Sequence, residues 1–296
     1  MKVLVTGAGG QLGRALVATA PTAHACVALG REALDLEQDS DSIASILDSQ
    51  SPDVIINAAA WTAVDAAEDE PDRAIQVNAT APGVLARWCA AHGARLIHVS
   101  TDFVFDGEAG RPYAPDSPAR PLGAYGRSKW EGECRVREAL GDKALIVRTA
   151  WVYGAGGRNF VRTMLRLMGT RDEVNVVADQ VGAPTHTRSL ARLLWQAVTK
   201  PEAGGTLHWT DAGVASWFDL AMAVYEEGRA LGLLDRDVAI GPLRTVDYPT
   251  PATRPAYSVL DTTATPRVLG QAPRHWRVEL REMLAEEGAM AEAGHA

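Results

Sequence analysis

Tyr125 and Lys129, in the run Tyr125-Gly126-Arg127-Ser128-Lys129, stand four residues apart, one helical turn, and so share a helix face. A free phenol has a pKa of ~10, too high to exchange protons readily near neutrality. A neighbouring ammonium favours the phenolate, and a shift of ~3 units corresponds to about 4 kcal/mol of differential stabilisation. The pair therefore has the composition of a proton donor tuned by a cation, although Y-x-x-x-K also recurs by chance as a surface pair. A second group of reactive side chains lies upstream, where apolar Leu96-Ile97-His98-Val99 ends in Ser100-Thr101-Asp102. Hydroxyls at the carboxyl end of a central strand occupy the place where α/β sheets build active sites. There a hydroxyl holds a carbonyl oxygen while the tyrosine proton arrives.

The N-terminus carries a third signal. Lys2 to Thr6 reads as a strand that runs into Gly7-Ala8-Gly9-Gly10-Gln11-Leu12-Gly13 and then into a helix. Gly7, Gly10 and Gly13 give a G-x-x-G-x-x-G spacing, related to the dinucleotide fingerprint. The glycines serve a tight turn, close backbone approach to a pyrophosphate, and close helix-to-strand packing, while the helix N-terminus supplies N–H donors. After the second strand the chain reads Gly30-Arg31-Glu32, with no acidic residue at the strand's immediate end. Arg31 suits a 2′-phosphate, which favours NADP(H); the competing reading is a solvated Arg31 neutralised by Glu32. Asp35-Leu36 and the small residues after Asn57, namely Ala58, Ala59 and Ala60, are candidate walls for the adenine and ribose. Lys129 is then placed to bond the nicotinamide ribose as well as to tune Tyr125.

These groups need a scaffold, and the chain supplies one. Short apolar runs alternate with helical patterns, the rhythm of βαβ units. Strands are expected at Lys2 to Thr6, Ala25 to Leu29, Val54 to Asn57, Arg95 to Ser100 and Ala144 to Arg148. Helices are expected at Gln11 to Ala20, Ser40 to Ser49, Pro71 to His92, stopped by Gly93, and Tyr125 to Leu140. The pattern predicts an α/β fold: a Rossmann-like doubly wound parallel sheet with a smaller C-terminal α/β substrate lobe. The expected division is a dinucleotide-binding domain over residues 1–150 and a mainly substrate-binding lobe over 151–296, with elements returning to the first domain left open. A helix is expected over Asn159 to Met168, and the tail from Glu279 to Ala296 reads as a helix fraying into a polar end.

Composition narrows the partners. The 296 residues are 47% hydrophobic and 22% charged, as in soluble globular proteins, and carry a formal charge of −8. No basic excess suits a nucleic-acid backbone, so nucleic acid is not an expected partner. Cys26, Cys89 and Cys134 are widely spaced and suggest neither a disulfide framework nor a zinc site. The seven histidines show no metal-ligand spacing, so no catalytic metal is expected. The apolar run at Met1 is too short for a signal peptide, and no stretch reaches the ~18 apolar residues of a membrane span, so the expectation is a cytoplasmic protein with no membrane partner.

Taken together, the glycine loop, Asn57 to Ala60, Ser100-Thr101-Asp102 and Tyr125 to Lys129 resemble the extended short-chain dehydrogenase/reductase superfamily. Within it, Pro52 to Ala60, Thr62 to Asp65, Arg148 to Tyr153, Asp179 to Thr185 and Tyr248 to Pro255 are similar to the dTDP-4-dehydrorhamnose reductases, and these segments span nearly the whole chain. The resemblance implies Thr101, Tyr125 and Lys129 as the catalytic set. It implies cofactor contacts from Gly10, Gln11, Leu12, Asp35, Leu36, Ala60, Trp61, Thr62, Val99, Tyr125 and Lys129, beside Gly7, Gly13, Arg31, Ala58 and Ala59 from the residues above. Trp61 replaces a smaller polar ring common in the family, so its contacts are expected through the backbone. Thr101, Asp102, Tyr125 and Trp151 would touch the sugar, with Trp151 stacking on its apolar face. Asn159, Gln180 and Pro184 would line the same cleft, and Arg254 is a candidate for a pyrophosphate. The implied partner is a dTDP-sugar and the implied cofactor NADPH, with NADH, a bridging divalent ion such as Mg and a homodimer left open. Two readings compete: another nucleotide-sugar reductase, epimerase or dehydratase of the same superfamily, and a non-catalytic regulatory subunit. Related dehydratases place an acid directly after Thr-Asp, where this chain has Phe103. A non-catalytic regulatory subunit similar to that of methionine adenosyltransferase fits poorly with an intact Thr101, Tyr125 and Lys129.

Overall fold

A computed structural model describes residues 1–293; the fraying expected toward Ala296 lies outside the described residues. Five parallel strands, β1 (Lys2–Thr6), β2 (Ala25–Leu29), β3 (Val54–Asn57), β4 (Arg95–Thr101) and β5 (Leu145–Thr149), form most of one sheet. Strands covered on both faces must be apolar at nearly every position, and β3 and β5 are buried throughout. The sheet has the order β2-β1-β3-β4-β5, and a sixth strand, Gly205–His208, pairs in parallel with β5. That strand comes from the second half of the chain. So does the helix Thr187–Val198, whose Leu190, Leu194 and Trp195 pack on the same face as Leu12 and Leu16 of the helix Gln11–Ala18. Trp195 Nε1 donates to the carbonyl of Leu16 at 3.0 Å.

On the opposite face, Ile43 and Leu47 of the helix Ser40–Gln50 pack with Leu85 and Trp88. The helix expected over Pro71 to His92 is interrupted: Pro71–Ile75 and Ala81–His92 are α-helical, and Gln76–Thr80 is a π turn. Pro82 has no N–H to give to the carbonyl of Asn78 four residues back, so the regular ladder breaks there. Gly132, on the helix Ala124–Leu140, lies against that carbonyl so closely that a Cβ would stand 2.0 Å from it.

The second lobe is built from small pieces: the strand pairs Val152–Tyr153 with Thr185–His186, Val181–Gly182 with Ala215–Ser216, and Glu173–Val177 with Ala239–Leu243. The helices Phe160–Met168, Trp217–Ala230 and Trp276–Ala293 cover them through a core that includes Val161, Met164, Leu220, Leu280 and Met283. All three cysteines are free, and burial pushes the Cys89 thiol up to about 12. Among the described residues no helix is long and apolar enough to cross a membrane.

Candidate active site

The carboxyl ends of β1 and β3 are tied to the middle of β4 by a polar row that follows from the strand register. Thr6, Asn57 and His98 are successive neighbours across the sheet. Thr6 Oγ1 donates to Asn57 Oδ1 at 2.6 Å, and Asn57 Nδ2 meets His98 Nδ1 at 3.0 Å. Thr6 Oγ1 also accepts from the backbone N–H of Ala59 at 3.3 Å, so the row reaches the loop after β3. Burial, reinforced by the positive charge of Lys129, holds His98 well below its usual pKa and therefore neutral.

Above this row, where the strand order turns between β1 and β3, opens a cleft of about 650 Å3. Gly7 sits at φ +65°, and a Cβ there would stand 2.7 Å from the Cα of Ala59, so only glycine permits both the turn and the contact. Gly13 is a packing residue: a Cβ would lie 2.1 Å from the carbonyl of Gly7, and the residue does not line the cleft. Gly9, which lies outside the G-x-x-G-x-x-G spacing, does line it, with open space above its Cα. Gly10 caps the helix Gln11–Ala18 without a side-chain bond, so first-turn N–H groups remain free at the positive helix end. A glycine cradle under a free helix end fits a dinucleotide pyrophosphate.

The reactive side chains converge on the same cleft. Thr101 ends β4, with Oγ1 donating to Asp102 Oδ1 at 3.0 Å and accepting from the N–H of Phe103 at 3.2 Å. Tyr125 and Lys129 lie on the helix Ala124–Leu140, both buried, and both line the cleft with Thr101 and Asp102. Lys129 Nζ donates to the carbonyl of Val99 at 2.8 Å. Its pKa falls to about 8, chiefly through burial, with Glu133 opposing the fall. Tyr125 is pushed up to about 12 by burial, against a smaller downward pull from the Thr101 hydroxyl. In the chain by itself desolvation dominates, and the phenol is neutral across the neutral range. Burial also raises Asp102, to about 6, and one of its oxygens has no hydrogen-bond partner.

Behind Lys129, Arg148 of β5 grips Glu133 through two bonds of 2.9 and 2.7 Å, and Arg137 adds another of 2.6 Å. Both members of the central pair are fully buried. Asn78, from the π turn, joins two walls of the site. Its side chain accepts from Trp61 N at 2.8 Å and donates both to Trp61 O and to Ser128 Oγ at 3.0 Å. Nothing in the local periodicity of Pro71 to His92 marked Asn78 as a junction.

The remaining expected residues divide. Gly7, Gly10, Gln11, Leu12, Arg31, Asp35, Leu36, Ala58, Ala59, Ala60, Trp61, Thr62, Val99, Trp151, Asn159 and Arg254 all line the cleft. Gln180 and Pro184 do not: both are buried behind it. Gln180 instead accepts from Trp217 Nε1 at 3.2 Å. Trp217, absent from the expectations, lines the cleft and stacks on Trp151 at 3.6 Å, with the planes 7° apart. Trp151 holds φ +49°, unusual for a bulky residue, with its ring against Gly182. Arg31 is neutralised, but not by Glu32: it pairs with Asp35 at 3.3 Å and with Glu37. Arg254 pairs with Asp65 at 2.7 Å. Trp61 carries Arg73 over its ring at 4.6 Å, so that face is covered. Among the described residues no group of three or more His, Cys, Asp or Glu is gathered to hold a metal.

Residues 1–288 match the family model RmlD substrate binding domain. A dTDP-4-dehydrorhamnose reductase of Aggregatibacter actinomycetemcomitans is 41% identical over 291 residues, covering 96% of this chain and 98% of that protein. A probable dTDP-4,6-dihydroxy-2-methyloxan-3-one 4-ketoreductase of Streptomyces antibioticus is 43% identical, covering 95% of this chain and 94% of its own length. Among solved structures, a dTDP-4-dehydrorhamnose reductase from Bacillus anthracis in complex with NADP superposes with a TM-score of 0.89 at 33% identity, covering 96% of this chain and 99% of that one.

Proposed function

This chain belongs to the RmlD substrate binding domain family, and on that premise we propose that it reduces the C4 ketone of dTDP-4-dehydro-L-rhamnose to dTDP-L-rhamnose, the last step of dTDP-rhamnose biosynthesis. It is an NAD(P)H-dependent oxidoreductase. The observation that carries the reading is the convergence of Thr101, Tyr125 and Lys129 with the glycine cradle in one cleft. A bound nicotinamide supplies the hydride. Tyr125, kept protonated by its buried position, gives its proton to the C4 oxygen as the hydride arrives, so that it ends as the hydroxyl, and Thr101 Oγ1 orients that oxygen by turning its proton from Asp102 Oδ1 to it. Lys129, anchored on the Val99 carbonyl, brings a positive charge and further donors to the ribose side. The Trp151 and Trp217 stack offers a flat wall to the sugar's apolar face.

NADPH is the proposed donor. Since Arg31 is held by Asp35 and Glu37, it must release Glu37 to meet a 2′-phosphate, which leaves NADH a competent second donor. Phe103 stands where an eliminating acid would be and instead packs edge-on against Tyr125 at 5.5 Å, which supports reduction over dehydration.

The test is steady-state reduction of dTDP-4-dehydrorhamnose against other nucleotide 4-ketosugars, with each donor, for the wild type and Tyr125→Phe. Loss of a general acid is expected to lower kcat by about 10²–10⁴-fold while dinucleotide affinity stays within about twofold. Near-normal turnover by Tyr125→Phe would overturn the assignment.

A further inference from the structure

Three arginines line the cleft, and two of them, Arg31 and Arg254, are held by carboxylates. Arg158 is the third. Its side chain is exposed and, among the described residues, has no carboxylate within salt-bridge distance. Its backbone is fixed across the cleft. Gln11 Nε2 donates to the carbonyl of Arg158 at 3.1 Å, and Asn159 Nδ2 donates to Gln11 Oε1 at 2.8 Å. A Cβ on Gly157 would stand 2.4 Å from Gln11 Cγ, so glycine lets the loop come down onto this side chain. Arg14 adds a second tie, donating to Gly9 O at 2.7 Å and to Gly156 O at 3.1 Å.

Gln11 is the first residue of the helix whose free N–H groups face the cleft. A guanidinium from the second half is therefore held beside a positive helix end from the first half. Two positive features placed together repel unless an anion lies between them. Resting on the function proposed above, we propose that Arg158 closes over the pyrophosphate of the nicotinamide dinucleotide, so that residues 154–159 act as a strap that retains the cofactor. The glycine loop and helix end bind the phosphates from below, and the guanidinium binds them from above.

Calorimetric titration of wild type, Arg158→Ala and Arg158→Lys with NADPH, NADH and dTDP tests this. Loss of a charge-assisted contact to the pyrophosphate is expected to weaken NADPH and NADH by the same factor, roughly tenfold or more, and to leave dTDP within about twofold. Arg158→Lys should recover part of the loss. Unchanged dTDP affinity also shows that the variants are folded. Weakening of NADPH alone would move the contact to the 2′-phosphate, and weakening of dTDP alone would move it to the sugar nucleotide. Either result, or no change, overturns the proposal. Failure of the wild type to bind either dinucleotide would instead refute the functional reading itself.

Discussion

Glu133→Gln should damage both the fold and the pH profile. Glu133 and Arg148 are fully buried and joined by two bonds, so the amide leaves a guanidinium with nowhere to place its charge. Removing one partner of a buried pair costs about 3–5 kcal/mol, a fifth or more of a typical stability of about 5–15 kcal/mol. At about 2–4 °C per kcal/mol for a chain of this size, the thermal midpoint should fall by about 6–20 °C. The second effect is electrostatic. Glu133 lies one turn beyond Lys129 and is the charge that opposes its fall to about 8. Without it Lys129 drops further, loses its proton nearer neutrality, and draws the alkaline limb of kcat/KM to lower pH. Replacing both partners by apolar residues, Glu133→Leu with Arg148→Met, should restore much of the stability but not the alkaline limb. Calorimetry and pH-rate profiles on the three proteins read both effects. A single variant that loses less than about 1 kcal/mol and keeps its alkaline limb would refute the reasoning.

Two further outcomes follow from the site. Asp102 is buried with a pKa near 6, above its unfolded value, so its contribution to stability is full below about pH 4 and is lost as pH rises through 6. Asp102→Asn should remove that decline, worth up to about 3 kcal/mol, and be the more stable protein at pH 7; thermal midpoints measured from pH 4 to 7 check it. Trp217→Ala removes the ring stacked on Trp151 and frees a residue held at φ +49°. An aromatic contact of about 0.5–1.5 kcal/mol predicts a KM for the sugar nucleotide raised roughly two- to tenfold with dinucleotide affinity unchanged, read by steady-state kinetics and titration.

The first five strands were legible as short apolar runs, four of them because strands buried on both faces read so and the edge strand β2 from its ACVAL run alone, and their ends differ from expectation by a residue at most. The π turn was not, since Gln76 to Thr80 keep helical spacing and the break depends on one missing N–H at Pro82. In the second half most strand pairs are two residues long and join segments far apart in the chain, so no local pattern marks them. The site divides the same way. Gly7 and Gly13, and Tyr125 and Lys129, announce themselves because each pair lies within one short run of sequence. Trp217 meets Trp151 from across the lobe, and Gln11 meets Asn159 from across the cleft. For Arg31 the adjacent Glu32 was the natural neutraliser in sequence, but the loop carries Asp35 and Glu37 onto the guanidinium instead.

The strand Gly205–His208 also sets a schedule for synthesis. Its partner, β5, ends at Thr149, so about sixty further residues must be made before the two can pair. At about 5–20 residues per second, β5 spends roughly 3–12 s with its outer row of N–H and C=O groups unpaired. During that interval the nascent chain presents an unpaired edge with the apolar run Leu145-Ile146-Val147, open to pairing with another copy on the same messenger. The first half of the chain therefore emerges first but completes its sheet only when residues 205–208 have been made, and its protection from aggregation rests on residues that follow it.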